Sequence, residues 1–222
     1  MQKYAFVLIC LLSLVSLNMP AYAQSGPSAD KVKLRNLLSQ ITTLQAQFIQ
    51  QVDDVQGNRL QDSQGSLLMQ HPNRIYWEVT TPDETQLIAN GEQVYYVDNF
   101  VEQVSIYSQS AMVTNNPLML LTSDDDAVWA QFTVSQLATS SIQQFTVTPT
   151  TPQSQIVELS LGFAQGQLQR FTLVDNQGQV SQFNLSNQVT NMPLPVNAFS
   201  FTVPAGFSID DQTQTQSQLR TQ

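Results

Sequence analysis

The stretch HPNRIYWEVTTPDETQLIANGEQVYYVDNFVEQV, residues 71–104, alternates apolar and polar side chains with a period of two. After Pro72, the residues Ile75, Trp77 and Val79 fall on one face of a strand, and Tyr76 and Glu78 on the other. Gly91 separates two more runs, 85–90 and 93–98, in the manner of a hairpin. Just upstream, Leu67 and Met69 give the preceding strand a matching apolar side. Short consecutive strands with one dry and one wet face predict a curved antiparallel sheet or barrel, not a parallel α/β sheet.

The pattern continues in both directions. Leu44, Ala46, Phe48 and Gln50 share one face of a strand over 44–53, and a further strand is expected over 65–70. Beyond residue 98, strands are expected over 102–107, 131–137, 142–148, 155–162, 168–174, 179–188 and 199–203. Gly57, Gly166 and Asn176-Gln177-Gly178 supply turns between them. Ahead of the sheet, Ser28 and Asp30 precede Val32, Leu34, Leu37, Leu38 and Ile41, the spacing of an amphipathic helix capped at Ser28.

Alternation fails between Ser110 and Trp129. There Pro117 opens the apolar run Leu118, Met119, Leu120, Leu121 as the first turn of a short helix. Ser123 and Asp124 to Asp126 then read as the capped, acidic start of a second helix carrying Val128 and Trp129. Two short helices interrupting a sheet are placed to cover one of its faces.

The ends narrow the cellular setting. Lys3, an apolar stretch from Tyr4 to Leu17 and Ala21-Tyr22-Ala23 compose a signal peptide over residues 1–23 with cleavage near Ala23, so export is expected. The remainder is expected to form a single unit over 24–212, followed by a Gln- and Thr-rich disordered tail, 213–222. Cys10, the one cysteine, lies within the leader, which leaves no thiol for a disulfide, a nucleophile or a metal. Without Lys3, seven basic residues face seventeen acidic ones, a net charge near -10 that makes nucleic acid and anionic membranes poor partners.

Catalytic signatures are equally sparse. His71 is the single histidine and no G-x-S-x-G turn presents a serine, so a hydrolase triad has no framework. Asp53-Asp54 and Asp210-Asp211 point to opposite faces when extended, unlike paired glycosidase carboxylates. The run Asp124 to Asp126 lacks the alternate spacing of a calcium loop and suits a helix cap. No metal, cofactor or enzymatic activity is expected, and periodicity alone allows the apolar face around Trp77 to be either an ordinary core or a ligand cavity.

Residues 71–104 closely resemble a segment of the outer-membrane lipoprotein carrier family, LolA, with its Pro-Asn start, aromatic-x-Trp strand, T-x-PDE turn and F-V-E-Q strand. NNPLMLL, 115–121, is similar to the family's lid helix, and FTVPAGFSIDDQ, 201–212, to its C-terminal strand and exit. The resemblance spans 24–212 and implies an unclosed antiparallel β-barrel, mainly β, with an α-helical lid over an apolar cavity. It further implies a monomeric periplasmic chaperone that takes lipoproteins from an ATP-driven inner-membrane release complex, shields their acyl chains and hands them to an outer-membrane receptor. Phe48, Leu67, Met69, Ile75, Trp77 and Val79 would then line the cavity, and Pro117, Leu118, Met119, Leu120, Leu121 and Trp129 would form the lid.

One position departs from the family. An arginine thought to hold the empty lid shut falls at His71, with Arg74 three residues on, so both are latch candidates. Neutral imidazole offers one donor where guanidinium offers five. Two other readings stand beside the carrier: a lipid-sensing regulatory or interaction domain on the same half-barrel, and a periplasmic enzyme of unknown activity.

Overall fold

The computed structural model of the chain describes residues 28–112, 117–138, 142–151 and 154–213. The expected signal peptide, 1–23, and the expected tail, 213–222, except Thr213, lie outside these residues. No described helix is long and apolar enough to cross a membrane.

Helix α1 (Ala29–Ser39) starts at Ser28, whose hydroxyl accepts the Lys31 N–H at 3.2 Å, and it buries Leu34 and Leu38. The strands that follow are β1 (Thr43–Asp53), β2 (Arg59–Gln70), β3 (Arg74–Thr81), β4 (Thr85–Asn90), β5 (Gln93–Asp98) and β6 (Gln103–Ser108). A short helix α2 (Gln109–Met112), a 3-10 helix (Pro117–Leu121) and α3 (Asp126–Trp129) interrupt the sheet. It resumes with β7 (Phe132–Ala138), β8 (Gln143–Pro149), β9 (Ile156–Ala164), β10 (Gln167–Asp175), β11 (Val180–Thr190) and β12 (Ser208–Asp211).

The twelve strands among the described residues form one sheet in the order β12-β6-β5-β4-β3-β2-β1-β11-β10-β9-β8-β7. Every ladder is antiparallel except the short parallel pairing of β12 with β6. The edges β12 and β7 do not pair, so the barrel is unclosed. Three strands separate β3 from β10, yet Trp77 and Phe171 meet with ring centroids 5.9 Å apart, which requires the sheet to curl around its apolar face. The β7 edge is blunted by α1: Asp30 Oδ2 accepts the Gln136 N–H at 3.0 Å, and the Ser28 hydroxyl approaches the Val134 carbonyl at 3.4 Å.

Four local expectations are corrected. Strand β2 begins at Arg59, six residues before the expected start, because its polar first half still pairs with β1. Helix α2 was not signalled by any apolar period. The N-cap of α3 is Asp125, whose carboxylate accepts the Ala127 N–H at 2.8 Å, and not Ser123. Residues 199–203 form no strand: Phe201 and Val203 pack with Phe207 against Ile88, Val97 and Val104, and Pro204 removes the donor a continuing ladder needs. That C-terminal stretch covers the outer face of β3 to β6, where the partly buried Tyr76, Tyr95 and Ile106 also lie.

Candidate functional site

Four rings from four strands lie at the centre of the concave face. Phe48 of β1 stacks on Trp77 of β3, with centroids 4.0 Å apart and planes 24° apart. Phe171 of β10 stacks on Phe183 of β11 at 4.4 Å, and Phe183 meets Trp77 edge-on at 5.1 Å. Such pairs contribute about 0.5–1.5 kcal/mol each beyond their burial and fix ring orientation. Alternation along each strand aims all four inward, and the register that sets Gln50 opposite Phe183 and Leu67 opposite Trp77 brings them together.

Against this aromatic layer lies a cavity of about 210 Å³. Leu67, Met69, Ile75, Trp77, Leu87 and Phe183 line it from the sheet, and Leu118, Met119 and Leu121 from the 3-10 helix. Gln50, Thr85, Gln86 and Tyr96 form its polar end. Among the described residues none that lines it is charged at neutral pH. Burial first, then the neighbouring Asp98 carboxylate, raises the Tyr96 phenol above its ordinary value, so it stays neutral as well. A largely apolar, uncharged wall of this kind accepts hydrocarbon and penalises ions.

The residues singled out from the sequence separate into groups. Leu67, Met69, Ile75 and Trp77 line the cavity, whereas Phe48 is buried behind Trp77 and Val79 packs against the core without lining. Leu118, Met119 and Leu121 face the cavity; Leu120 is buried in the same core, and Pro117 opens the helix. Trp129 is buried in the same core but does not line the cavity. Its indole N–H donates to the Ser123 carbonyl at 2.8 Å, the Arg35 guanidinium lies 5.6 Å from its ring, and it lines a separate polar cleft with His71, Ser123 and Asp124.

The two latch candidates also differ. Arg74 is exposed at the start of β3. The His71 side chain is 10 % exposed, with Nδ1 3.6 Å from Asp124 Oδ1, longer than a hydrogen bond. Its Nε2 is buried without an acceptor among the described residues. The backbone beside it makes the shorter contact, from the Asn73 N–H to the Thr122 carbonyl at 2.9 Å. Sequence reading missed Leu87, Phe183 and Tyr96 in the cavity. Leu87 was within reach, since β4 alternates and pairs Leu87 with Trp77, but Phe183 depends on a pairing between distant strands. Among the described residues no three His, Cys, Asp or Glu side chains gather as a metal site.

The geometry has a counterpart among known proteins. The family model described as outer membrane lipoprotein carrier protein LolA matches residues 39–202. The chain belongs to the LolA family. An outer-membrane lipoprotein carrier protein of Pseudoalteromonas translucida is 38% identical over 216 residues, 96% of this chain and 99% of that protein. One from Idiomarina loihiensis is 36% identical over 207 residues, 93% and 98% of the respective chains. An uncharacterized conserved protein from Thermus thermophilus shares the fold, with a TM-score of 0.50 at 9% identity, covering 81% of this chain and 99% of its own. Every residue lining the cavity falls inside the segment matched to LolA.

Proposed function

We propose that this LolA-family protein is a periplasmic lipoprotein chaperone. It receives lipoproteins released from the inner membrane by an ATP-driven complex, shields their acyl chains and passes them to an outer-membrane receptor, acting without catalysis as a monomer formed by residues 24–212. The observation that carries this reading is the uncharged apolar cavity roofed by Leu118, Met119 and Leu121. Burying each methylene is worth about 0.8 kcal/mol, so an anchor of several long chains costs tens of kcal/mol to expose to water. A carrier must nearly match that burial and still release its cargo.

A cavity of about 210 Å³ is smaller than the roughly 300–1,000 Å³ of sites that engulf even drug-sized ligands. Loading therefore requires the 3-10 helix to move off the sheet. The direct test is mass spectrometry of the protein purified from its periplasm without detergent. Triacylated lipoprotein bound at near one-to-one ratio is the expected result, and a protein consistently free of any acylated species would count against the reading.

Ile75 offers a sharper probe of the lining. It is 4 % exposed and sits opposite Met69 across the β2–β3 pair. An unpaired carboxylate there carries a desolvation cost of several kcal/mol. Ile75→Glu is expected to lower retention of a triacylated lipopeptide at least tenfold, with Ile75→Val close to wild type. Equal retention by all three proteins would remove Ile75 from the binding surface.

A further inference from the structure

Asn73 lies in the turn between β2 and β3 with φ 58°, and both polar groups of its backbone reach across to the chain segment that carries the 3-10 helix. Its N–H donates to the Thr122 carbonyl at 2.9 Å, just after that helix. Its carbonyl accepts from Gln109 Nε2 at 2.7 Å, where the chain leaves β6. Gln109 is buried, 6 % exposed, and uses both ends of its amide: Oε1 accepts the Gly91 N–H at 2.9 Å while Nε2 donates to the Asn73 carbonyl. Its own N–H donates to the Glu92 carbonyl at 3.0 Å. The departure and return of the chain that roofs the cavity are thus fastened to one residue of the barrel. The His71 imidazole, 3.6 Å from Asp124, makes no comparable bond.

We propose that Gln109 is the positioning residue of the cavity's cover: its amide, held between the Asn73 carbonyl and the Gly91 N–H, sets the closed position of Leu118, Met119 and Leu121. This deepens the carrier reading and rests on it. A buried amide is suited to the task because it donates and accepts at once, which neither a hydrocarbon nor a carboxylate of similar size does. Loss of the donor leaves the Asn73 carbonyl unpaired and loosens the turn whose N–H holds the Thr122 carbonyl, so the 3-10 helix samples positions away from the sheet.

The test is hydrogen exchange of the amides of Leu118 to Thr122 in the empty protein, with binding of N-phenyl-1-naphthylamine as a second readout of access to the cavity. Gln109→Leu is expected to speed exchange there at least tenfold and to increase dye binding, while His71→Leu changes exchange less than threefold. Gln109→Glu separates positioning from simple turn stability. Ionised, its carboxylate still accepts from Gly91 but repels the Asn73 carbonyl; protonated, it donates to that carbonyl again. Exchange relative to wild type at the same pH should therefore be fast near pH 8 and return toward unity as pH falls to about 4, where an unperturbed glutamate is about half protonated.

Exchange within twofold of wild type in both Gln109→Leu and Gln109→Glu would overturn the proposal, as would a larger effect from His71→Leu. If Gln109→Leu does not fold, the pH response of Gln109→Glu decides, and a pH-independent ratio overturns it. Because exchange is read without cargo, its failure leaves the carrier reading untouched. Dye excluded from every variant, even where exchange is fast, would count against the cavity instead.

Discussion

Gly65→Ala is expected to destabilise the fold by about 3 kcal/mol or more, beyond the usual cost of adding one methyl to a core. Gly65 sits in β2 opposite Phe48, and a Cβ built there would lie 1.8 Å from the Glu78 carbonyl oxygen and 2.6 Å from Phe48 Cζ. The first neighbour is backbone and cannot rotate away. The second is a ring whose position fixes Trp77, because the two stack at 4.0 Å. The register between β2 and β3 shifts at this point, so that Gln64 faces Thr81 and Gly65 faces Val79, and the bare glycine lets the strands close over the irregularity while the Phe48 ring covers it. For a chain of this size, 3 kcal/mol corresponds to a fall in Tm of roughly 6–12 °C. Thermal unfolding followed by circular dichroism measures it, with the near-ultraviolet signal of the packed aromatic side chains as a second readout. A Tm within 2 °C of wild type would show that the strands separate there at little cost, and that the ring stack is not tied to Gly65.

That glycine also shows where sequence reading stops. Period-two alternation revealed eleven of the twelve strands among the described residues, because a slip of one residue would turn a whole apolar set to water. It also placed Leu67, Met69, Ile75 and Trp77 on one face. It did not reveal that the opposite face of β3 to β6 is dry too. Tyr76, Tyr95 and Ile106 look like ordinary outward residues until Phe201, Val203 and Phe207 return over them from the far end of the chain. Gln109 was hidden for a different reason: in a chain rich in glutamine, a buried one that closes two hydrogen bonds carries no local mark. His71 drew notice as the single histidine and through its place in the family motif, yet the short contact at that turn is made by the backbone of Asn73.

On the proposed carrier reading, the cover serves two packings. Met119, Leu120 and Leu121 are each at most 2 % exposed in the closed state, so lifting them into water alone is costly. Acyl chains that take the place of the sheet restore the burial, and the closed and loaded states then differ little in free energy, as a two-state carrier requires. Fixing the cover is therefore expected to abolish exchange of cargo in both directions. Residues 24–222 contain no cysteine, so in a protein that starts at Gln24 a pair introduced as Met69→Cys and Met119→Cys, on facing walls of the cavity, can be joined by a short bismaleimide without competing thiols. A flexible linker avoids the narrow Cα separation a disulfide demands. Joined while empty, the protein should load triacylated lipopeptide at under a tenth of the rate of the unjoined pair; joined after loading, it should retain its lipopeptide when a receptor is supplied. Each single-cysteine variant carrying the same reagent on one wall corrects for bulk in the cavity. Loading at the unjoined rate by the joined protein would mean that cargo enters past a stationary 3-10 helix, by way of the polar end at Gln50, Thr85 and Tyr96.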